Sequence, residues 1–186
     1  VIKRKGEFWV GTLAGLRAVK NLPRLVRACA GLPEEWQLVI FGEGPERDAI
    51  RAEAMRLEVG HRVHMPGFVG KPESVMGLFD IFALSSDSEQ FPLSVVEAMA
   101  AGLPVAAPHV GDVADIVAEP NRPFIVPAGD ATALARSLSA LATDAELRRA
   151  VGGANRVKAL AEFDAAGMID AYRAIYAQAL GAERFP

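Results

Sequence analysis

The chain has 186 residues, 51% of them hydrophobic, enough for one sizeable core within the size range of a single domain. Its 20 Lys and Arg stand against 23 Asp and Glu, a formal net charge of -3 with no long basic run, which argues against nucleic acid as a partner. No apolar stretch is long enough to span a bilayer, the opening Val-Ile-Lys-Arg-Lys-Gly is not a signal peptide, and a single cysteine excludes an internal disulfide framework. One soluble, cytoplasmic domain over residues 1–186 is expected.

In chain order, apolar runs of strand length alternate with helical patterns. The short basic segment Lys3-Arg4-Lys5 reads as the end of a linker. Phe8–Leu13 and Trp36–Phe41 read as strands, followed by helices over residues 21–30 and 45–58; further strands are expected over 62–65, 81–85, 104–107 and 124–126. Helices are expected over 74–79, 92–101, 112–118 and 131–141. This run of βα units predicts an α/β fold, a Rossmann-like doubly wound parallel sheet of about six strands with helices on both faces. Asn21 reads as the N-cap of the helix after it, and Cys29, on the stripe Leu22, Leu25, Val26, Cys29, reads as buried core filler. After Asp130 no strand candidate remains. Asp130 and Asp144 are placed as N-caps, and Ala-rich sequence predicts a helical tail over about 144–181. Its final helix, 164–180, carries Met168, Ile169, Tyr172, Ile175, Tyr176, Ala179 and Leu180 on one stripe, which must pack against something.

Open parallel sheets bind ligands beyond the carboxyl ends of their strands, where helix N-termini offer N–H groups to anions. The run Glu89-Gln-Phe-Pro-Leu-Ser-Val-Val-Glu97 is the most informative stretch on that rim. Glu89 belongs to a strand-to-helix loop, Pro92 to the first helical position, and the amides of Phe91, Leu93 and Ser94 are anion donors. Glu97 falls inside an otherwise apolar helix, where an unpaired carboxylate is costly and a ribose diol would serve as partner. The plainer account makes Glu89 a solvated loop charge and Glu97 half of a structural ion pair. The first connection, residues 11–21, holds Gly11 and Gly15 with Arg17 and Lys20, cations that either neutralise a diphosphate or are simply solvated. Gly42 and Gly44 close the second strand, serving turn geometry, close passage of a base or sugar, or both. His109 and Gly111 lie on the same rim, and Gly111-Asp112 with Asp115 also reads as a capped helix start. His61, His64 and His109 lack metal-ligand spacing, so no metal is expected. No G-x-S-x-G elbow exists and Cys29 is mid-helix, which argues against a Ser or Cys hydrolase.

The ordered set Gly11…Lys20-Asn21, Phe41-Gly-Glu-Gly-Pro45, Gly67-Phe68, Ser86…Glu89-x-Phe-Pro…Glu97-Ala-Met-Ala-Ala-Gly-Leu-Pro-Val105, Val110-Gly-Asp…Asp115 and Val126-Pro…Gly129-Asp130 resembles family-4 retaining glycosyltransferases over nearly the whole chain. The resemblance implies a GT-B enzyme, two Rossmann-like domains facing each other across a cleft. This chain resembles the C-terminal, donor-binding half; the acceptor half is absent from it, and the last helix is the one that crosses back in the family, or drives self-association. By the same resemblance Lys20 contacts the donor diphosphate, Glu89 holds hydroxyls of the donor sugar, Phe91 to Ser94 cradle phosphate and Glu97 takes the ribose. Gly42 and Gly44 line the donor pocket, and Met65 to Phe68 border the nucleobase.

Two positions depart from the family's pattern. Its usual Arg stands where this chain has Gly15, with Arg17 displaced by two, and its Gly-Gly-x-x-Glu appears as Gly111-Asp112-Val-Ala-Asp115, with a shorter acid. The resemblance implies a nucleotide-sugar as donor substrate, no further cofactor and no metal, the leaving-group charge being carried by Lys20 and a helix N-terminus. Retention without an obvious nucleophile implies front-face attack by the acceptor hydroxyl. The whole enzyme is expected to pass a hexosyl group to a glycan or lipid-linked sugar, in the cytoplasm or against a membrane, the isolated domain being inactive. The alternatives are a standalone nucleotide-sugar-binding or regulatory module and a nucleotide-sugar epimerase of similar fold.

Overall fold

In the computed structural model, which describes residues 2–182, six strands form one parallel sheet. Val1 and the last four residues of the expected 1–186 domain lie outside the described residues. The strands are β1 (Phe8–Leu13), β2 (Trp36–Phe41), β3 (Val63–Gly67), β4 (Ile81–Ala83), β5 (Val105–Pro108) and β6 (Ile125–Val126). They lie in the order β3-β2-β1-β4-β5-β6, every neighbouring pair parallel. Parallel strands covered on both faces read as continuous apolar runs, and β1 shows why: Val10 enters one core and Trp9 the other. Helices α1 (Leu22–Cys29), α2 (Arg47–Arg56) and α6 (Ala131–Thr143) supply the core around Val10, Ile40 and Leu138. On the opposite face α3 (Glu73–Met76), α4 (Leu93–Ala100) and α5 (Val113–Ile116) pack around Trp9, Phe82 and Met99. Two further helices, α7 (Ala145–Glu162) and α8 (Ala165–Leu180), form the tail. The fold class expected from the sequence is the one observed.

Cys29 is buried in the first core, and desolvation pushes its thiol up to about 12 although Arg62 acts in the opposite sense. Asp130 and Asp144 cap as expected, accepting from the amides of Ala133 and Leu147 at 2.8 and 2.9 Å. Three other expectations are corrected. Asn21 caps nothing: its backbone is left-handed (φ 42, ψ 47) and its side chain reaches Asp87. Pro92 is extended (φ -72, ψ 101), so Leu93 opens α4. The strand expected from residue 62 begins at Val63, because Arg62 is buried and donates to the carbonyls of Ala30, Leu32 and Pro33 at 3.0, 2.9 and 3.1 Å.

The expected helix over 112–118 stops at Ile116. The Ala118 amide is taken instead by the buried side chain of Asn155 on α7, 3.1 Å away, and residues 119–124 turn as a 3₁₀ segment that leaves only Ile125–Val126 as strand. Lys3 is no loose linker end: its ammonium is 2.7 Å from Asp80, which also accepts from the Trp9 amide at 2.6 Å. On the α8 stripe Met168, Ile169, Tyr172, Ile175, Tyr176 and Leu180 are exposed, and Ala177 is the one buried residue of that helix among the described residues. Among the described residues no helix is long and apolar enough to cross a membrane.

One ionic link between α1 and α2 carries a pH dependence. Glu53 accepts from Arg56 at 2.8 Å and from Arg27 at 2.9 Å, and these bonds lower its carboxyl from 4.5 to about 2. A depressed carboxyl stabilises the fold above its unfolded value and loses that contribution as pH falls from about 4.5 towards 2. Glu53→Gln is therefore expected to flatten the acid side of the stability profile, measured by urea unfolding at pH 5 and pH 2.5; an unchanged slope would mean that the link contributes nothing.

Candidate functional site

The strand order reverses between β1 and β4, and the loops leaving these two strands are the place where a doubly wound sheet holds a ligand. The β1 loop ends in a 3₁₀ turn, Ala18–Lys20, that delivers the Lys20 side chain to the switch point. From the β4 loop comes Glu89. The Lys20 ammonium lies 2.6 Å from Glu89 Oε1, and the same oxygen accepts from the Ser86 hydroxyl at 2.6 Å. The two side chains are 26% and 10% exposed, so the pair is partly desolvated and held by charge-assisted bonds. Glu89 takes one of the three ammonium protons, leaving two for a ligand.

The β5 loop supports this arrangement from behind. Gly111 has φ 51, and a Cβ there would run into the carbonyl oxygens of Glu89 and Gln90, while the Asp112 amide donates to Gln90 at 2.9 Å. Asp112 makes no side-chain cap. The His109 side chain is exposed and its backbone amide is spent on Val126. At the start of α4 the amides of Phe91, Leu93 and Ser94 have no partner among the described residues, as an anion cradle requires. The Phe91 ring packs edge-on against Phe163 with centroids 5.8 Å apart, and Leu93 is exposed.

A groove of about 320 Å³ lies at the ends of β1, β2 and β3. Gly15, Gly42 and Phe68 line it together with Ala14, Glu43, Val69 and Pro72. Gly42 has to be glycine, because at φ 143 a Cβ would overlap the Ala14 carbonyl oxygen. Gly44, at φ 154, also leaves no room for a Cβ, which would run into the Leu16 carbonyl oxygen, and it is not among the residues that line the groove. Above Gly15 lies Arg17, whose exposed side chain passes within 3.7 Å of where a residue-15 Cβ would stand. Of residues 65–68, Phe68 faces this groove, whereas Met65 packs against the core.

Glu97 lies apart from these residues. It lines a second groove, about 470 Å³, with Glu73, Met76, Ala100 and Arg156; Pro72, next to Glu73 in the chain, lines the first. The expected burial of Glu97 is not observed: the residue is exposed and makes no ion pair among the described residues, so neither a buried carboxylate nor a structural salt bridge describes it. Desolvation by the groove wall, together with the Glu73 charge, raises its carboxyl above the usual range. Sequence reasoning assigned no role to Ser86 or Glu73. The spacing of Ser86 three residues before Glu89 was a signal for the first, whereas Glu73 is brought to Glu97 by the tertiary fold alone.

The structure thus sets a cation–carboxylate pair at the switch point, unpaired amides at the start of α4 and an apolar-walled groove at the ends of β1, β2 and β3. The chain belongs to the glycosyl transferases group 1 family, whose model matches residues 2–158. It has the fold of the C-terminal domain of a GT-B glycosyltransferase. It is 29% identical over 169 residues to N-acetyl-alpha-D-glucosaminyl L-malate synthase of Bacillus anthracis, covering 88% of this chain and 44% of that protein. With D-inositol 3-phosphate glycosyltransferase of Xylanimonas cellulosilytica it shares 35% identity over 166 residues, 84% of this chain and 40% of that one. The chain thus spans less than half the length of these relatives. Anabaena HepE, solved in complex with UDP, superposes with a TM-score of 0.87 at 23% identity over 93% of this chain and 49% of its own, a likeness of fold. Sucrose-phosphate synthase of Thermosynechococcus elongatus gives 0.79 at 28% identity, covering 92% and 46%.

Proposed function

We propose that this chain is the donor-binding half of a family-4 retaining glycosyltransferase, which takes a uridine diphosphate hexose and passes the hexosyl group to a hydroxyl of a glycan or lipid-linked sugar held by an N-terminal half. The observation that carries this reading is the Lys20–Glu89 pair at the switch point, beside the free amides that open α4. A second solved form of Anabaena HepE, bound to UDP-glucose and 26% identical with a TM-score of 0.79, supports the choice of donor. In this reading Lys20, and Arg17 from two positions beyond the family's usual arginine, meet the diphosphate. The amides of Phe91, Leu93 and Ser94 complete its cradle, Glu89 orients the sugar hydroxyls, Glu97 takes the ribose diol, and Phe68 with Gly15 and Gly42 borders the base.

The acceptor oxygen bonds to the anomeric carbon on the face from which the diphosphate leaves. The bond from that carbon to the diphosphate oxygen breaks with its electron pair, and the acceptor proton passes to the departing oxygen. Lys20 and the α4 dipole stabilise the charge that develops there, so no metal belongs to this reading. The whole enzyme works in the cytoplasm, where nucleotide-sugars are its donors, or against a membrane that carries its acceptor, and the donor half transfers nothing by itself. Calorimetric titration with UDP, GDP, ADP and UDP-glucose tests the assignment: saturable binding of the uridine ligands is expected, and binding of none would sink it.

Glu97→Gln is expected to weaken UDP by roughly 1 to 3 kcal/mol, the range for losing an acceptor from a ligand's hydroxyls. Only the ionised Glu97 accepts both ribose protons, and its carboxyl titrates above the usual range. UDP affinity should therefore rise with pH as the Glu97 carboxyl ionises, above the ordinary carboxylate range, and Glu97→Gln should remove that rise. Equal affinity of the two proteins at pH 7 would move ribose recognition elsewhere.

A further inference from the structure

Beside the Lys20–Glu89 pair lies a second polar cluster to which none of these roles is assigned. Arg24 Nη2 stands 2.6 Å from Asp87 Oδ1, and Nη1 donates to the Ser85 carbonyl at 3.1 Å. Asn21 Nδ2 donates to Asp87 Oδ2 at 3.1 Å, the Asp87 amide to the Val19 carbonyl at 2.8 Å, and the Ser85 hydroxyl to the Lys20 carbonyl at 2.9 Å. Three consecutive residues of the β1 loop, Val19, Lys20 and Asn21, are thus each tied to residues 85–87 of the β4 loop. The Arg24 side chain is 13% exposed, so its charge needs the Asp87 carboxylate. Asn21 is held left-handed at φ 42, a conformation that persists in an L residue when its surroundings fix it, and here Asp87 is what it binds. Among the described hydrogen bonds neither Asp87 nor Arg24 reaches the Lys20 ammonium or the Glu89 carboxylate. They grip the backbone on which those two groups are mounted.

We propose that Asp87 is a positioning residue of the donor site. Through Arg24 and Asn21 it sets the register between the loop that carries Lys20 and the loop that carries Glu89, so that a single diphosphate sugar meets both. A flexible lysine chain reaches a phosphate oxygen with useful geometry only if its backbone is fixed to within about 0.5 Å, and the Asp87 carboxylate adds the ties through Arg24 and Asn21 to the bonds that the Val19 and Lys20 carbonyls accept. The inference rests on the donor-site reading, and its test separates the two.

The protein, Asp87→Ala, Lys20→Ala and the double variant are titrated with UDP and with uridine. Asp87 is a half-exposed loop residue and Arg24 keeps the Ser85 carbonyl without it; an unchanged far-ultraviolet circular dichroism spectrum checks that Asp87→Ala is folded. Asp87→Ala is expected to weaken UDP about tenfold and leave uridine unchanged, and to add less than about twofold once Lys20 is already alanine. Asp87→Asn, which keeps the bond from Asn21 but not the charge opposite Arg24, should fall between. Unchanged UDP affinity, an equal loss for uridine, or the same loss in both Lys20 backgrounds would each overturn the proposal. The side-chain ammonium resonance of Lys20 gives a readout independent of nucleotide: protected by its ion pair in the unaltered protein, it should merge with water in Asp87→Ala. If uridine and UDP bind to none of the four proteins, the donor reading falls, and a Lys20 resonance that survives Asp87→Ala overturns the clasp as well.

Discussion

Replacing Lys20 by alanine is expected to slow hexosyl transfer by the whole enzyme about 10² to 10³-fold at saturating donor, the range found when one preorganised stabiliser of developing charge is removed. The ammonium is mounted on a turn whose backbone is bonded to the neighbouring loop, so it is in place before the donor arrives. In the proposed transfer, a charge already positioned in a partly desolvated site stabilises the departing diphosphate without reorganisation. The variant also leaves Glu89 with the Ser86 hydroxyl as its remaining side-chain donor among the described residues, so the sugar end of the site is disturbed too. The rate of UDP release measures the first effect. Affinity for UDP against uridine measures the placement: a loss confined to UDP is expected, and an equal loss for both would remove Lys20 from the phosphates.

Asn155→Ala should destabilise the fold by about 3 to 5 kcal/mol, read as a lower urea midpoint at unchanged slope. Asn155 is fully buried on α7 and spends its amide on three partners: it donates to the Leu103 carbonyl at 2.9 Å and to Asn121 Oδ1 at 2.8 Å, and accepts from the Ala118 amide at 3.1 Å. Asn121, equally buried, in turn exchanges two bonds of 2.8 Å with the N–H and C=O of Val105, as a neighbouring strand would. Alanine at 155 strands an amide and a carbonyl in a dry interior, each costing about 1 to 3 kcal/mol, and frees Asn121 to lose its grip on β5. A destabilisation under about 1 kcal/mol would mean that water replaces the side chain.

Much of the fold was legible because the signals are local. β1 and β2 have the bounds expected from their apolar runs, since strand length and burial on both faces are written in consecutive residues. Asp130 and Asp144 cap as expected because the aspartate and the amide it receives are three residues apart. Asn21 satisfied the same local rule and broke it, its side chain drawn away by Asp87, 66 positions along the chain. Arg62 likewise reads as the polar edge of a strand and is in fact a buried clamp on three carbonyls of another connection.

For the site, the sequence by itself determined the residue types at the carboxyl ends of the strands, the glycines where backbones touch and the helix start with unpaired amides, since each of these follows from a strand end and the few residues after it. That Lys20 and Glu89, 69 positions apart, share a proton donor and acceptor at 2.6 Å was decided by the return of the chain to the far side of β1. The same holds for the exposure of Glu97 beside Glu73 and for the exposure of the apolar residues on α8. Periodicity states which face of a helix is apolar or carries a charge, but what stands opposite that face is set by the packing of distant elements.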